Sequence, residues 1–208
     1  MLRRSTTSCF LLLTAIAAHA GIDLTPSSGE YVAQGIKHQQ LIFHQDKQRI
    51  EYEPPPGWGF EGSSHLLRLK PPQQNQFAEA IIEAVRSAAP QGFDEQATKA
   101  LEQEAIGNLP PGSQFVKVEL ETHNPIPLNR NQSLEVTISY QVIGEKFWRS
   151  VLLVNLPDTG LIFRLTARKQ DFDALHREFA TSISSWQWVD ENEAATQPSQ
   201  AASVITAR

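Results

Sequence analysis

Three histidines in the first third of this 208-residue sequence are candidates for metal binding by residue type. His38, His44 and His65 lie in or near predicted strands. On one unbroken strand, His38 and His44 share a face but lie about 20 Å apart, at about 3.3 Å per residue. Two imidazoles at that separation cannot hold the same metal ion, and no carboxylate pattern typical of a metal site accompanies them. The sequence therefore predicts no metal site and no cofactor.

A serine–histidine segment and two pairs of carboxylates are the candidates for catalysis. Residues 62–65 (Gly-Ser-Ser-His) lack the strand–nucleophile–helix context that exposes a catalytic serine. Triad partners also meet in space, so adjacency in sequence does not establish them. Glu102 with Glu104, and Asp171 with Asp173, are typical of solvated or helix-capping carboxylates. We therefore expect no catalytic residue and a protein that is not an enzyme.

Four tryptophans are the candidates for binding by contact. Trp58 follows a proline run, Trp148 lies on a predicted strand, and Trp186 and Trp188 close the last predicted helix. Core packing is the ordinary role of such side chains, because aromatic residues dominate cores as well as interfaces. If any of them is exposed, Trp58 or Trp148 is the candidate binding surface. His176 is expected to pack at the flank of the last helix.

The chain begins with a predicted export signal. Residues 1–4 carry two arginines and no acid, and residues 9–18 form an apolar run of about ten residues. Ala18 and Ala20 supply small residues at both selective positions before a cut, which makes Gly21 the new N-terminus. The run is too short to cross a membrane, which takes about 20 apolar residues. We expect cleavage between Ala20 and Gly21, an extracytoplasmic location, periplasmic or secreted, and no transmembrane anchor.

Removal of the leader changes the cysteine content and the charge. Cys9 is the single cysteine, so the mature chain cannot form an internal disulfide or a cysteine metal site. Loss of Arg3 and Arg4 reduces the 18 basic residues to 16 against 23 acidic ones, a net charge of −7. The basic residues are scattered, whereas a nucleic-acid surface needs clustered positive charge. We therefore expect no nucleic-acid partner.

The N-terminal half is predicted to contain short strands and one firm helix. Phe93, Ala97, Leu101 and Ala105 recur every four residues and form an apolar helical stripe. Residues 77–86 fit helical spacing, and their propensity favours a helix, but they also alternate as a strand does. The other predictions follow from alternation and proline stops: a hairpin at 41–43 and 50–52, strands at 66–69 and 116–120, and the helix at 93–108.

The C-terminal third has the clearest pattern. Three strands joined by short turns, at 134–142, 147–156 and 161–167, predict an antiparallel meander. Residues 151–154 are apolar on both faces and need cover on both sides. A last helix near Asp171, which could cap it, carries an apolar stripe that ends at Trp186.

These elements predict an α+β fold, a three-layer α/β/α sandwich with a central antiparallel sheet. The organisation expected from them is a signal peptide at 1–20, a single domain at 21–189 and a disordered acidic and polar tail at 190–208.

The order of these elements, with two short motifs, resembles the PsbP/Mog-like superfamily. The motifs are Pro56-Gly57-Trp58 after the hairpin and Ser182-Ile183-Ser184-Ser185-Trp186 at the end of the last helix. The resemblance covers nearly all of residues 31–188 and implies a strand, not a helix, at 77–86. Members of the superfamily share binding or assembly roles rather than one reaction, and fold does not fix function. No site residue of the superfamily maps onto this chain.

Export, the lack of a catalytic arrangement and the resemblance together favour one function class. We expect an exported, non-enzymatic protein that binds or scaffolds another protein of the cell envelope. The alternative is an extracytoplasmic carrier of a small ligand or metal. The sequence specifies neither the partner nor the oligomeric state.

The predicted cleavage site can be tested directly. Bulky residues in place of both small ones, as in A18F together with A20F, should block maturation, because the selective positions before the cut accept only small side chains. Mass spectrometry of the exported protein should then find the leader still attached. Unchanged processing of that variant would contradict the proposed site.

Overall fold

A computed structural model describes residues 21–33, 35–45, 48–72, 77–86, 92–126, 128–157 and 159–190. The predicted leader at 1–20 and nearly all of the predicted tail at 190–208 lie outside these residues, so both stay predictions. The described part contains eleven strands and two helices in one chain order. They are β1 (Asp23–Ala33), β2 (Ile36–Gln45), β3 (Gln48–Tyr52), β4 (Gly59–Ser63), β5 (Leu66–Lys70), β6 (Glu79–Arg86), α1 (Glu95–Gly107), β7 (Gln114–His123), β8 (Ser133–Val142), β9 (Glu145–Asn155), β10 (Thr159–Arg168), α2 (Lys169–Ile183) and β11 (Gln187–Asp190).

The strands form two antiparallel sheets. The larger has seven strands in the order β4-β5-β6-β10-β9-β8-β7, and the smaller has four in the order β1-β2-β3-β11. The predicted β8–β9–β10 meander and the β2–β3 hairpin are confirmed by their register. Residues 79–86 pair with β10 as a strand, which confirms the assignment that the resemblance favoured over local propensity.

The two helices pack on opposite faces of the seven-stranded sheet. Leu101 and Ala105 of α1 belong to one buried cluster with β8 and β9 side chains such as Val136. Phe172 and Phe179 of α2 belong to a second cluster, which the smaller sheet shares. The middle strands of the large sheet therefore have apolar cover on both faces, as the residues at 151–154 require.

The α+β class with antiparallel sheets and two helices is confirmed. The expectation of one central sheet differs from the structure, because β1, β2, β3 and β11 form a separate sheet on the α2 side. The three-layer α/β/α sandwich therefore stays a prediction in its original form.

The C-terminal helix ends earlier than its apolar stripe predicts. It stops at Ile183, and Trp188 belongs to β11, which pairs with β3. Ser185 Oγ accepts a hydrogen bond from the Glu53 backbone N–H at 2.8 Å, and this draws the chain toward β3. The expected Asp171 cap is also wrong: α2 begins two residues earlier, so Asp171 lies in its first turn, and the N-cap residue makes no side-chain hydrogen bond.

A close backbone contact joins the two sheets. The Leu24 backbone N–H of β1 donates to the Ser64 carbonyl, just beyond β4, at 3.0 Å. A Cβ atom at Gly62 would lie 2.7 Å from the Leu24 carbonyl oxygen and 2.6 Å from Pro26 Cδ. Real Cβ atoms do not approach backbone atoms that closely, so only glycine fits at this crossing. Residues 23–33 have no alternating apolar pattern, so their sequence does not predict this strand.

The crossing yields a stability prediction with a matched control. Gly62→Ala should lower the free energy of unfolding by about 1–3 kcal/mol, because the methyl group pushes β1 away from β4. Gly59→Ala on the same strand should have little effect, since its nearest neighbour would lie at 4.0 Å. Urea denaturation of both variants measures the difference. Equal stability losses at Gly62 and Gly59 would show that β1 does not press on β4.

Candidate functional site

A cavity lies on the α1 face of the seven-stranded sheet, beyond the C-terminal end of α1. We name it the α1-end groove; its volume is about 680 Å³. Its wall combines aromatic, aliphatic and cationic side chains. They include Lys70, Phe77, Tyr140, Val142, Phe147 and Arg149.

The groove exists because α1 is shorter than the sheet that it covers. Thirteen helical residues extend about 20 Å, whereas the ten and eleven residues of β8 and β9 extend about 35 Å. Asn108 ends the helix, and Pro110 and Pro111 prevent its continuation. The ends of β8 and β9 nearest their hairpin are therefore left without helical cover.

Arg149 connects the end of α1 to the sheet. Its Nη1 donates to the carbonyl oxygens of Ala105 and Asn108, both at 3.2 Å. Its Nε donates to Thr166 Oγ1 at 3.0 Å. The guanidinium lies 5.8 Å from the centre of the Tyr140 ring. The side chain thus satisfies carbonyl groups that the end of a helix leaves unpaired.

The electrostatic surroundings of Arg149 are unusual. The residue is only 6% exposed, and no described carboxylate lies within 4 Å of its guanidinium. Burial lowers the pKa of Arg149 and raises the pKa of the neighbouring Tyr140. Both shifts follow from the removal of water, which disfavours the charged form of each group.

The other charged residues near the groove are paired with each other. Arg164 Nη2 lies 2.5 Å from Glu104 Oε1, and Arg68 Nε lies 2.7 Å from Glu79 Oε1. A smaller cavity of about 210 Å³ continues past Arg149 and is lined by Arg164 and Glu79 as well. Within the described residues, Arg149 is therefore the cation of this region whose contacts are all with neutral groups.

A second polar cluster lies on the α2 face. His176 Nε2 lies 2.6 Å from Glu135 Oε1, and Ser150 donates a short hydrogen bond to the same oxygen. In a catalytic triad the histidine lies between the serine and the acid, whereas here the carboxylate lies between the other two. Burial by itself would raise the pKa of Glu135, but the bonds from His176 and Ser150 hold it below its usual range. The cluster provides hydrogen bonds to a buried acid, and His176, at the predicted flank of the helix, has Glu135 as its partner.

Neither tryptophan named from the sequence lines the α1-end groove. Trp58 is 3% exposed, stacks on Phe179 and donates from Nε1 to Glu178 at 3.2 Å. Trp58 is therefore buried in the core, whereas a binding surface requires an exposed side chain. Trp148 is half-buried on the α2 face, where Lys169 Nζ lies 3.5 Å from the centre of its ring. A binding role for Trp148 stays a prediction.

The histidines and serines considered for chemistry are spread over several elements. His38 and His44 lie on β2, where His38 stacks on Tyr31, and His65 lies in the turn before β5. Ser63 donates to the Leu66 carbonyl, as a polar turn residue does. In the described ranges, no group of three or more His, Cys, Asp or Glu side chains is arranged to hold a metal ion.

Arg149 and Tyr140 are the site residues that sequence reasoning missed. Tyr140 alternates with Ile138 along β8 and is buried, which is the pattern of a core residue. Arg149 carried a usable signal: it stands between Trp148 and the apolar run at 151–154, so alternation places it on the same face as Val151. A charged residue at an inward position of a central strand indicates a structural or binding role.

Comparisons with known proteins place the chain among structures of low similarity. No family model matches the sequence, and no curated protein matches it. A Pseudomonas aeruginosa protein of unknown function is 15% identical, with a TM-score of 0.44 over 76% of this chain and 94% of its own. Cyanobacterial PsbP from Synechocystis sp. PCC 6803 is 12% identical, with a TM-score of 0.46 over 88% and 98%.

A third solved structure is LpqN of Mycobacterium tuberculosis, described as involved in cell envelope biogenesis. It is 16% identical, with a TM-score of 0.44 over 81% of this chain and 90% of its own. A PsbP protein is thus among the solved structures similar to this chain. Membership of the superfamily stays a prediction. In the described part of the chain, neither helix has the length and apolar character needed to cross a membrane.

The Glu135 cluster makes a prediction about acid stability. Because the pKa of Glu135 is lower in the folded state, its stabilising effect is present at neutral pH and is lost as pH falls below about 4.3, the value of an unfolded glutamate. Glu135→Gln should lower the free energy of unfolding at pH 7 by about 1–3 kcal/mol and make the acid-induced loss shallower. Glu30→Gln, at an exposed position, is the control and should keep the wild-type slope. Identical slopes for E135Q and wild type in denaturant titrations at several pH values would refute the role of this cluster.

Proposed function

We propose that this chain is an exported, non-enzymatic binding protein of the cell envelope that docks a segment of a partner protein in the α1-end groove. Export is supported by the leader pattern of residues 1–20. The observation that carries the binding role is the groove itself, a concave surface left open at the end of α1.

The lining of the groove favours recognition over catalysis. Phe77, Tyr140 and Phe147 provide aromatic contact area, which contributes strongly to binding interfaces. Arg149 and Lys70 add positive charge to the lining, where Lys70 is paired with Glu61 and the lining carboxylate Glu79 is paired with Arg68. Among the described residues of the lining there is no serine, cysteine or histidine that could act as a nucleophile or as the histidine of a triad.

A small-ligand carrier is the second candidate function. The groove volume of about 680 Å³ lies within the range of about 300–1,000 Å³ typical of small-molecule pockets. A ligand that prefers the folded state must raise its stability, so a thermal-shift screen with metabolites separates this function from the first.

Site-specific photocrosslinking tests the docking proposal. The photoreactive residue p-benzoylphenylalanine in place of Phe77, at the groove, should give a discrete adduct in cells that export the protein. The same residue in place of Phe115 is the control, because Phe115 is 77% exposed but lies outside the groove lining. Adducts of equal yield from both positions would contradict docking in the groove.

A pair of matched variants excludes non-specific contact. Val142→Trp fills the groove wall and should abolish the adduct formed from position 77. Val116→Trp makes the same change on the exposed edge strand β7 and should leave the adduct unchanged. An adduct that survives V142W, in a variant shown to be folded by circular dichroism, would rule out the groove as the docking site.

A further inference from the structure

Arg149 carries a buried positive charge, and no described residue pairs with it through a contacting negative charge. Buried charges in proteins are normally paired with an opposite charge, because a lone buried charge is costly. Arg149 is 6% exposed, and its hydrogen-bond acceptors are two backbone carbonyls and one hydroxyl. The negative end of the α1 dipole supplies the equivalent of about half a charge. A net positive charge therefore remains at the wall of the groove.

The geometry leaves donors for a further acceptor. The three hydrogen bonds occupy Nε and Nη1, while a guanidinium has five N–H donors. The two N–H groups of Nη2 are left for the Tyr140 hydroxyl, which interacts with this guanidinium, and for a ligand. Arg149 also lines both the main cavity and its smaller continuation.

We propose that the α1-end groove binds a monovalent carboxylate that is attached to an apolar or aromatic body. The carboxylate accepts a hydrogen bond from Arg149 Nη2, and the apolar body lies against Tyr140 and Phe147. This inference rests on the proposed function, since it names the chemistry that the docked ligand presents.

The neighbouring charges select a monoanion. Glu79 and Glu104 lie in or beside the same cavities, although each is paired with an arginine. A phosphate or another dianion would bring a second negative charge toward these carboxylates, and like charges at close range repel. A carboxylate can also accept a charge-assisted hydrogen bond from the Nη2 N–H group that remains. The aromatic lining completes the match with an apolar body.

Such a carboxylate has two sources, the C-terminus of a partner chain or a free organic acid. Two pairs of probes share the carboxylate and differ in its carrier. 3-Phenylpropanoate is compared with 3-phenylpropanamide, and N-acetylphenylalanine with its C-terminal amide. Binding to the exported protein is measured by two-dimensional NMR titration, which also reports where each probe binds.

We expect saturable shifts from both acids at groove residues and at least about tenfold weaker binding of both amides, since a charged hydrogen bond contributes at least that factor. Tighter binding of N-acetylphenylalanine identifies a chain terminus as the source, and tighter binding of 3-phenylpropanoate identifies a free acid. Acids and amides of equal affinity, or the absence of saturable shifts from any acid, would overturn the inference.

Two variants locate the interaction. Arg149→Met keeps the apolar stem but removes the charge, and it should reduce affinity for the acids to that for the amides. If R149M does not fold, Val142→Trp serves instead: it retains Arg149, fills the groove and should abolish binding of the acids. Val116→Trp is its control and should bind normally. Undiminished acid binding by folded R149M, or by V142W, would contradict the site.

Failure of the carboxylate inference can be distinguished from failure of the docking proposal. A crosslink from position 77 that 3-phenylpropanoate does not compete for, together with equal binding of acids and amides, overturns the carboxylate inference and leaves docking in the groove intact. Acid-selective binding without any crosslink supports the carboxylate site and favours the carrier function over a protein partner.

Discussion

The middle strands of the seven-stranded sheet are buried on both faces, and the rest of the structure depends on covering them. Residues 133–140 of β8 are all buried, so neither face of this strand meets water. The α1 helix covers one face, whereas α2 and the four-stranded sheet cover the other. The glycine crossing at Gly62 holds that second sheet against the first. Because α1 is too short for the strands beneath it, the same constraint that builds the core also creates the groove.

Arg149 couples the core to the groove. It holds the last carbonyls of α1 and so fixes where the helix ends above the sheet. The position of the helix end determines the shape of the groove wall, which includes Tyr140 and Pro110. The residue that defines the groove is therefore also the one whose charge lies unpaired beside it. Substitutions at this position change stability and recognition together, and only substitutions elsewhere in the wall separate the two.

Periodicity predicted the elements that local sequence determines. The meander, the helix at residues 95–107 and the hairpin before Tyr52 each carry their own apolar pattern and are confirmed. The predictions that fail concern elements whose positions depend on contacts between residues far apart in sequence. The strand β11 forms because Ser185 bonds to Glu53, more than 100 residues earlier in the chain. The groove could not be predicted at all, because it depends on the length of α1 relative to strands that follow it in sequence. The tryptophans are candidates for binding by residue type alone. The groove is instead marked by the charged residue Arg149, at a position where alternation predicts an apolar side chain.

Each face of the large sheet buries one charged residue, and the two residues differ in the groups that contact them. On the α2 face, Glu135 has a histidine and a serine within hydrogen-bonding distance, and the cluster needs nothing from outside. On the α1 face, Arg149 contacts carbonyls, a hydroxyl and a phenol, while its charged neighbours Arg164 and Glu104 are paired with each other. A protein selected only for stability gains little from an unpaired buried cation, since an apolar residue of similar size costs less to bury. The asymmetry is understandable if the missing anion arrives with a ligand. For this reason we place the proposed recognition on the α1 face of the sheet, and not at the more polar cluster around Glu135.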